Sequence, residues 1–227
     1  MKRSLLLIPL ILLALWAGTT WIIGSYTQSG FDIALEKVNQ QLAATPAQTS
    51  ISQDSYSRGF LSSQAITKIS HASKAESEEN DVFLKFQAWH GPLMFTPKGL
   101  KFGNQYVIVT LAKDQLPEKI CEKIEAGFKG KEAFEIAIFS GFDGQVDVEA
   151  SISPFSSDEK SNTTLQFEGL TGQISTDHQG SFAKGSLKFG ALTFADKKSG
   201  DTLSIAALIA CRNPGVPPSS LASMSVI

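Results

Sequence analysis

The residues able to do chemistry are few and scattered. His71, His90 and His178 are the three histidines, and none has a second His, Cys or carboxylate at the spacing that builds a metal site or an acid-base pair. Asp143 precedes Gly144, a pairing that suits turn chemistry better than a catalytic carboxylate. Cys121 and Cys211 are not spaced as metal ligands and at most form one bridge, which an oxidising compartment would permit. No G-x-S-x-G elbow, GxxxxGK[ST] phosphate loop, G-x-G-x-x-G fingerprint or H-E-x-x-H zinc helix occurs, so the families whose catalysis reads from local sequence are removed. Asn162-Thr163-Thr164 matches the glycosylation triplet, a match too short to carry weight. The expectation is a protein that is not an enzyme, with no catalytic residue, no cofactor and no metal site.

A chain of 227 residues must position these groups, with 42% apolar and 19% charged residues, as in ordinary globular proteins. It is long enough for one sizeable domain or two small ones. Formal charge is −2, and without Lys2 and Arg3 the 20 basic residues fall to 18 against 22 acidic ones. A surface so poor in positive charge is a bad match for nucleic acid, whose binding depends on neutralising phosphates.

Lys2 and Arg3 precede an apolar stretch, Leu5 to Gly24, interrupted only by Pro9 and the Gly18-Thr19-Thr20 patch. At about 1.5 Å per residue the stretch can cross a hydrocarbon core about 30 Å thick. The basic pair would hold the N-terminus in the cytoplasm, with Trp21 and Tyr26 at the outer interface. The competing reading is a cleaved signal peptide, for which Ala14 and Ala17 are small but their spacing is off by one and Trp16 and Trp21 flank the candidate site. Residues 1–24 are therefore expected to be a signal anchor or signal peptide, and the remainder to be exported. The membrane is the first expected partner.

Residues 25–45 read as a helical stalk: Phe31, Leu35, Val38 and Leu42 fall on one face of a helix from about Gly30 to Ala43, ended by Thr45-Pro46. Short strands follow at Ile51 to Tyr56 and Gly59 to Ile69. The acidic run from His71 to Asp81 reads as a solvated loop. Val82 to Trp89 alternates Leu84, Phe86 and Ala88 against Phe83, Lys85, Gln87 and Trp89, and stops at Gly91-Pro92. Gly103 to Leu111 is expected to pair with it as a hairpin. A second helix is marked by Asp114 as cap, Pro117 in the first turn, and Leu116, Ile120, Ile124 and Phe128 at i+4 intervals, with Gly127 and Gly130 stopping it.

Phe134 to Ser140 and Gln145 to Ser153 form the clearest hairpin, with Val146, Val148, Ala150 and Ile152 on one face of its second arm. Thr164 to Gly169, a bend at 169–172, Gln173 to Thr176, and two runs within Phe182 to Phe194 split at Gly185 and Gly190 continue the pattern. The predicted fold class is α+β and β-rich: an N-terminal membrane helix, then an antiparallel sheet of short strands with two short helices. The exported domain is expected over 46–206. A disordered or atypical tail, 207–227, follows from the Arg212-Asn-Pro-Gly-Val-Pro-Pro218 composition.

Three stretches together carry a resemblance: Tyr56-Ser-Arg-Gly-Phe-Leu-Ser-Ser63, Trp89-His-Gly-Pro-Leu93, and Phe134 to Phe155 followed by Leu165-Gln-Phe-Glu-Gly-Leu-Thr-Gly172. In order and spacing the chain resembles the YdgA-like family of Gram-negative envelope proteins of unknown function, over roughly residues 1 to 195. The resemblance implies a single-pass inner-membrane protein with its bulk in the periplasm and no established enzymatic activity. It marks Tyr56, Arg58, Gly59, His90, Gly91 and Pro92 without giving them a role. Members are typically about twice as long, so a truncation or frame change near Ala206 is an expectation too, leaving an unpartnered sheet edge. The function expected is an anchored envelope domain that binds another envelope protein or itself. The alternative is a lipid carrier, for which the 15 phenylalanines supply apolar strand faces.

Overall fold

The computed structural model describes residues 2–45, 49–71, 81–157, 163–177, 183–196, 202–205 and 208–212, of which 2–10, 71 and 208–212 are described by backbone alone. Residues 72–80 of the acidic run, His178, Asn162 and the tail beyond Arg212 lie outside the described residues. Helix α1 spans Lys2–Ala43, 42 residues without a break. The stalk helix expected from Gly30 is thus the last third of one long helix, and the fold has one long and one short helix rather than a membrane helix and two short ones. Nothing between Gly24 and Gly30 breaks it: Ser25 Oγ and Thr27 Oγ1 donate back to the carbonyls of Trp21 and Ile23, at 2.9 and 3.0 Å, while the backbone ladder continues. Among the described residues no helix is long and apolar enough to cross a membrane. Leu5 to Leu10, the start of the expected span, lie outside the described side chains.

The chain divides into two compact units, residues 1–109 with 139–143, and residues 110–138 with 144–227. The first unit contains α1 and strands β1 (Thr49–Arg58), β2 (Ser62–His71), β3 (Val82–His90), β4 (Leu93–Thr96), β5 (Gly99–Phe102) and β6 (Gln105–Leu111). The order is β1-β2-β3-β6, with β4 and β5 as a separate two-stranded ribbon. β1 pairs with β2 and β2 with β3, antiparallel throughout.

The β4–β5 ribbon has no counterpart in the sequence reading, which ends the strand at Gly91-Pro92. Strand pairing does stop there, because Pro92 has no N–H to give. The chain then resumes as a tight hairpin closed at Gly99, which adopts φ +101°. The Gly91 N–H donates to Asn104 O at 3.1 Å, tying the two strands of the longer β3–β6 hairpin together where it bends into the ribbon.

The second unit contains helix α2 (Glu118–Phe128) and strands β7 (Phe134–Ser140), β8 (Gln145–Ile152), β9 (Phe155–Ser156), β10 (Thr163–Phe167), β11 (Leu170–Asp177), β12 (Ala183–Phe189), β13 (Leu192–Asp196), β14 (Thr202–Ile205) and β15 (Leu208–Arg212). One sheet runs β7-β8-β11-β12-β15 and a second runs β14-β13-β10-β9. β15 lies beyond Ala206, in residues expected to belong to the tail, because its backbone continues the ladder of β12 from Gly185↔Arg212 to Phe189↔Leu208.

Asp114 does not cap α2. It lies in a 3-10 turn, Lys113–Gln115, and Leu116 is extended ahead of Pro117, which is itself the N-cap. The proline ring forces this, since the residue before a proline is pushed out of helical geometry. Cys121 is a free thiol whose Sγ donates to Lys113 O at 3.0 Å, and the side chain of Cys211, its possible partner, lies outside the described residues.

Candidate functional site

Four of the six marked residues, Tyr56, Arg58, His90 and Gly91, meet α1, while Gly59 and Pro92 turn the chain beside them. Strand β2 carries the small residues Ser63, Ala65 and Thr67, all buried, and the register places them between Arg58 and Tyr56 of β1 on one side and Ala88, Phe86 and Leu84 of β3 on the other. Small residues on the middle strand with large ones on its neighbours make a trough, and a helix can approach closely only along such a line. α1 meets it with a stripe of its own: Thr20, Gly24 and Thr27 are buried, and Phe31, Leu35, Asn39 and Leu42 continue the same face at three- and four-residue steps.

Each marked side chain holds a different stretch of the helix. The Phe31 ring sits between Tyr56 and Phe86, with centroids 6.0 and 5.2 Å away. Tyr56 contributes its ring, since its hydroxyl is buried without a hydrogen-bond partner. Arg58 Nη2 donates to Trp21 O at 3.0 Å and to Ser25 Oγ at 3.2 Å, while its guanidinium lies 4.4 Å from the Trp21 ring centroid. A planar fork that bonds a carbonyl and stacks on an indole at once is a task for arginine rather than lysine.

His90 is 1% exposed and fills the space beside Gly24, where a Cβ would lie 2.5 Å from the imidazole Cε1. Its Nε2 is 3.4 Å from Ser63 Oγ. Burial lowers its pKa from the ordinary value of 6.5, despite backbone groups of Thr20 and Ser62 that favour the protonated ring. An enclosed imidazole packed on a glycine keeps the helix and the sheet a fixed distance apart. Gly91 repeats the arrangement: at φ +116° it presses on Thr20, where a Cβ would stand 2.6 Å from Oγ1. Gly59 forms the β1–β2 turn through its N–H to Ser62 O, at 2.7 Å, and Pro92 turns the chain into β4.

The sequence reading finds none of the helix partners. Trp21 is assigned to a lipid interface and the Gly18-Thr19-Thr20 patch to an interruption of the apolar run. Yet Thr20, Gly24 and Thr27 follow the small-residue spacing that marks a close approach between elements. Val38 is expected on the packed face but is 39% exposed. Its place is taken by Asn39, whose Nδ2 donates to Ile51 O at 2.6 Å and whose Oδ1 accepts from the Ile51 N–H at 2.8 Å. A side-chain amide there pairs with one residue of β1 as a neighbouring strand would.

Other expected chemistry is not assembled. Asp143 sits in the β7–β8 turn, His71 has only its backbone described, and among the described residues no three His, Cys, Asp or Glu side chains could share a metal ion. What the second unit does build is an apolar bend. β10 and β11 form one arm of a long hairpin, β12 and β13 the other, and both fold at the same level, tied by Glu168 N to Ala191 O (2.9 Å) and Gly190 N to Gly169 O (2.7 Å). Gly169, at φ +102°, makes the corner, so the predicted bend at 169–172 is confined to its first residue and Leu170 to Gly172 are strand.

The register puts Leu170, Ile174, Leu187, Phe189, Val148 and Ile152 on one face beyond the bend. Before it, Leu165, Phe167, Leu192, Phe194, Leu203 and Ile205 share another. The two faces meet where the Phe167 and Phe189 rings are 5.1 Å apart. Farther out they open: Ile174 is 51% and Leu203 65% exposed. Beside the bend, α2 packs on β9, with Phe128 and Phe155 at 5.2 Å. There a pocket of about 370 Å³ is lined by Phe128, Phe155, Phe167 and Pro154 together with Lys129 and Lys131.

The class so defined is a β-rich protein whose first unit is clasped onto a long N-terminal helix, with Tyr56, Arg58, His90 and Gly91 in the clasp. Residues 1–208 match the description of a bacterial protein of unknown function (DUF945), and the chain belongs to that family. No curated protein and no solved structure matches it.

Proposed function

We propose that the protein is a non-enzymatic, single-pass anchored domain of the bacterial envelope, exported to the periplasmic side, that acts by binding another envelope protein or a second copy of itself. The observation that carries this reading is the pair of apolar sheet faces in the second unit, closed at Phe167 and Phe189 and open at Ile174, Leu187, Phe194 and Leu203. Exposed apolar surface of this kind marks a binding site more often than an accident of composition. The enclosure of His90 supports a role without catalysis. The basic pair at Lys2 and Arg3, the apolar stretch after it and the resemblance to YdgA-like envelope proteins support the anchor and the inner-membrane, periplasm-facing placement.

A second reading is a lipid-binding or lipid-carrier domain, favoured by the pocket beside the bend. Its apolar wall, with Lys129 and Lys131 outnumbering Glu168 among the lining residues, suits an amphiphile with an anionic head. One experiment tests both. A photo-activatable residue at Ile174 or Leu203, in the full chain in its native membrane, should give a discrete protein adduct under the first reading and an adduct of phospholipid mass under the second. Only unmodified protein at both positions would sink both.

A further inference from the structure

The end of the first unit nearest the apolar start of α1 carries apolar side chains that stay exposed among the described residues. β1 runs alongside α1 in the opposite sense, from Ile51 at Asn39, through Tyr56 at Phe31, to Arg58 at Trp21. The turn that follows puts the Phe60 ring 6.0 Å from Trp16. β3 points the same way, reaching Gly24 with His90 and Thr20 with Gly91. Both the Gly59-Phe60-Leu61 turn and the β4–β5 ribbon therefore project at the end where α1 runs back toward Ile11.

The ribbon has two unlike faces. Met94 is buried, and Lys101 Nζ lies 5.6 and 5.7 Å from the ring centroids of Tyr106 and Phe139, on the side turned inward. On the other side the register aligns Leu93 with Phe102 and Phe95 with Leu100. Phe95 is 66% exposed, Phe102 65% and Leu100 51%, and Phe60 and Leu61 are open as well. The α1 residues Ile11, Leu12, Leu13 and Leu15 are exposed and apolar in the same way, so the open surface of ribbon, turn and helix has one chemical character. Charge agrees: from Val82 to Lys113 there is no Asp or Glu, and the turn of the ribbon carries Lys98 in a chain of net charge −2.

We propose that this end of the first unit rests on a lipid surface, with Phe60, Leu61, Phe95, Leu100 and Phe102 entering the interfacial layer of the bilayer that α1 crosses. The proposal deepens the anchored reading and rests on it. Large apolar side chains gain by leaving water for that layer, and a lysine at the ribbon's turn is attracted by anionic headgroups. The clasp on Thr20 to Phe31 holds the domain at a set distance from the membrane, so the loops meet the surface as part of one rigid contact. Lipid would then begin on α1 at about Trp16. Because the residues before it, at about 1.5 Å each, fall short of a hydrocarbon core about 30 Å thick, the bilayer would thin locally around the helix, with Lys2 and Arg3 reaching to its far surface.

The test uses the full chain with Cys121→Ser and Cys211→Ser, placed in vesicles of phosphatidylethanolamine and phosphatidylglycerol. Single nitroxide labels go on Leu13→Cys, Phe95→Cys, Phe102→Cys and, on the polar side of β12, Lys188→Cys. Collision rates with oxygen, which partitions into lipid, and with a water-soluble nickel complex report depth. Labels 13, 95 and 102 should be oxygen-rich and nickel-poor, and label 188 the reverse. If label 13 is in lipid while 95 and 102 behave like 188, the surface contact is wrong and the anchor stands. If all four behave like 188, the anchored reading falls and this proposal with it. The substituted phenylalanines are more than half exposed, so folding should survive, and an unchanged thermal transition checks that it has.

Discussion

A Cβ on Gly24 would lie 2.5 Å from Cε1 of His90, so the closest approach of α1 to the sheet is set by a missing side chain on one element and an enclosed imidazole on the other. Gly30, in the same helix, has nothing within 4 Å of its virtual Cβ. The two glycines should therefore respond oppositely to the same substitution.

Gly24→Ala should destabilise the first unit by about 1–3 kcal/mol, the usual cost of forcing a methyl group into a packed contact. Gly30→Ala should stabilise it by up to about 1 kcal/mol, because alanine loses less backbone freedom on forming helix. Denaturant unfolding of the two variants beside the parent checks both signs. Equal effects would mean that His90 is not seated on Gly24.

Arg58→Ala should cost about 1–2 kcal/mol, through the loss of a charge-assisted bond to Trp21 O and the stacking on its ring. Arg58→Lys should recover little of this, since an ammonium cannot bond the carbonyl and lie flat on the indole together. The emission of Trp21 should shift in both variants. Full recovery by lysine would reduce the contact to simple charge.

Stability should fall as pH drops below 6.5. Burial lowers the His90 pKa in the folded protein from that ordinary value, so the unfolded chain binds more protons in this window and gains from acidity. His90→Gln should remove that part of the slope, although its overall stability is lower. Asp81, held below its ordinary 3.8 chiefly by the hydrogen bond from Lys68, acts at lower pH and does not overlap. Urea midpoints from pH 7.5 to 5 in parent and variant give the comparison. Parallel curves would assign the slope to other groups.

In the second unit, a Cβ on Gly127 would meet Phe155 Cε2 at 2.4 Å. Gly127→Ala should therefore loosen α2 on β9 and cost about 1–3 kcal/mol, and Phe155→Leu in the same chain should return part of it. A double-mutant cycle read by thermal unfolding tests the coupling. Strict additivity would show that the ring and the helix do not share the contact.

Much of the strand pattern is legible in the chain. Leu84, Phe86 and Ala88 alternate against Phe83, Lys85, Gln87 and Trp89, and the structure turns the first set to α1 and brings Trp89 to Tyr106, 6.0 Å away, on the other side. Val146 to Ile152 shows the same alternation, and its apolar set does share one face, though Ile152 stays exposed. The paired bends at Gly169 and Gly190 are visible as turn residues. That they fall opposite each other and fold one hairpin into two sheets is not, because it depends on the register between segments that are not adjacent in the chain.

By itself the sequence determined the β-rich class, the α2 periodicity, the long apolar N-terminal stretch and the motif positions Tyr56, Arg58, Gly59, His90, Gly91 and Pro92. Those are local properties: side-chain period, propensity and the backbone demands of glycine and proline act within a few residues. Tertiary structure alone decided what the motif residues touch. A residue such as His90 reads from its neighbours as a loop or surface group, and becomes an enclosed spacer only when Gly24, 66 positions earlier, is laid against it. Complementarity between a stripe of small residues on α1 and a trough of small residues on β2 is a relation between distant segments, and no periodicity within either one contains it.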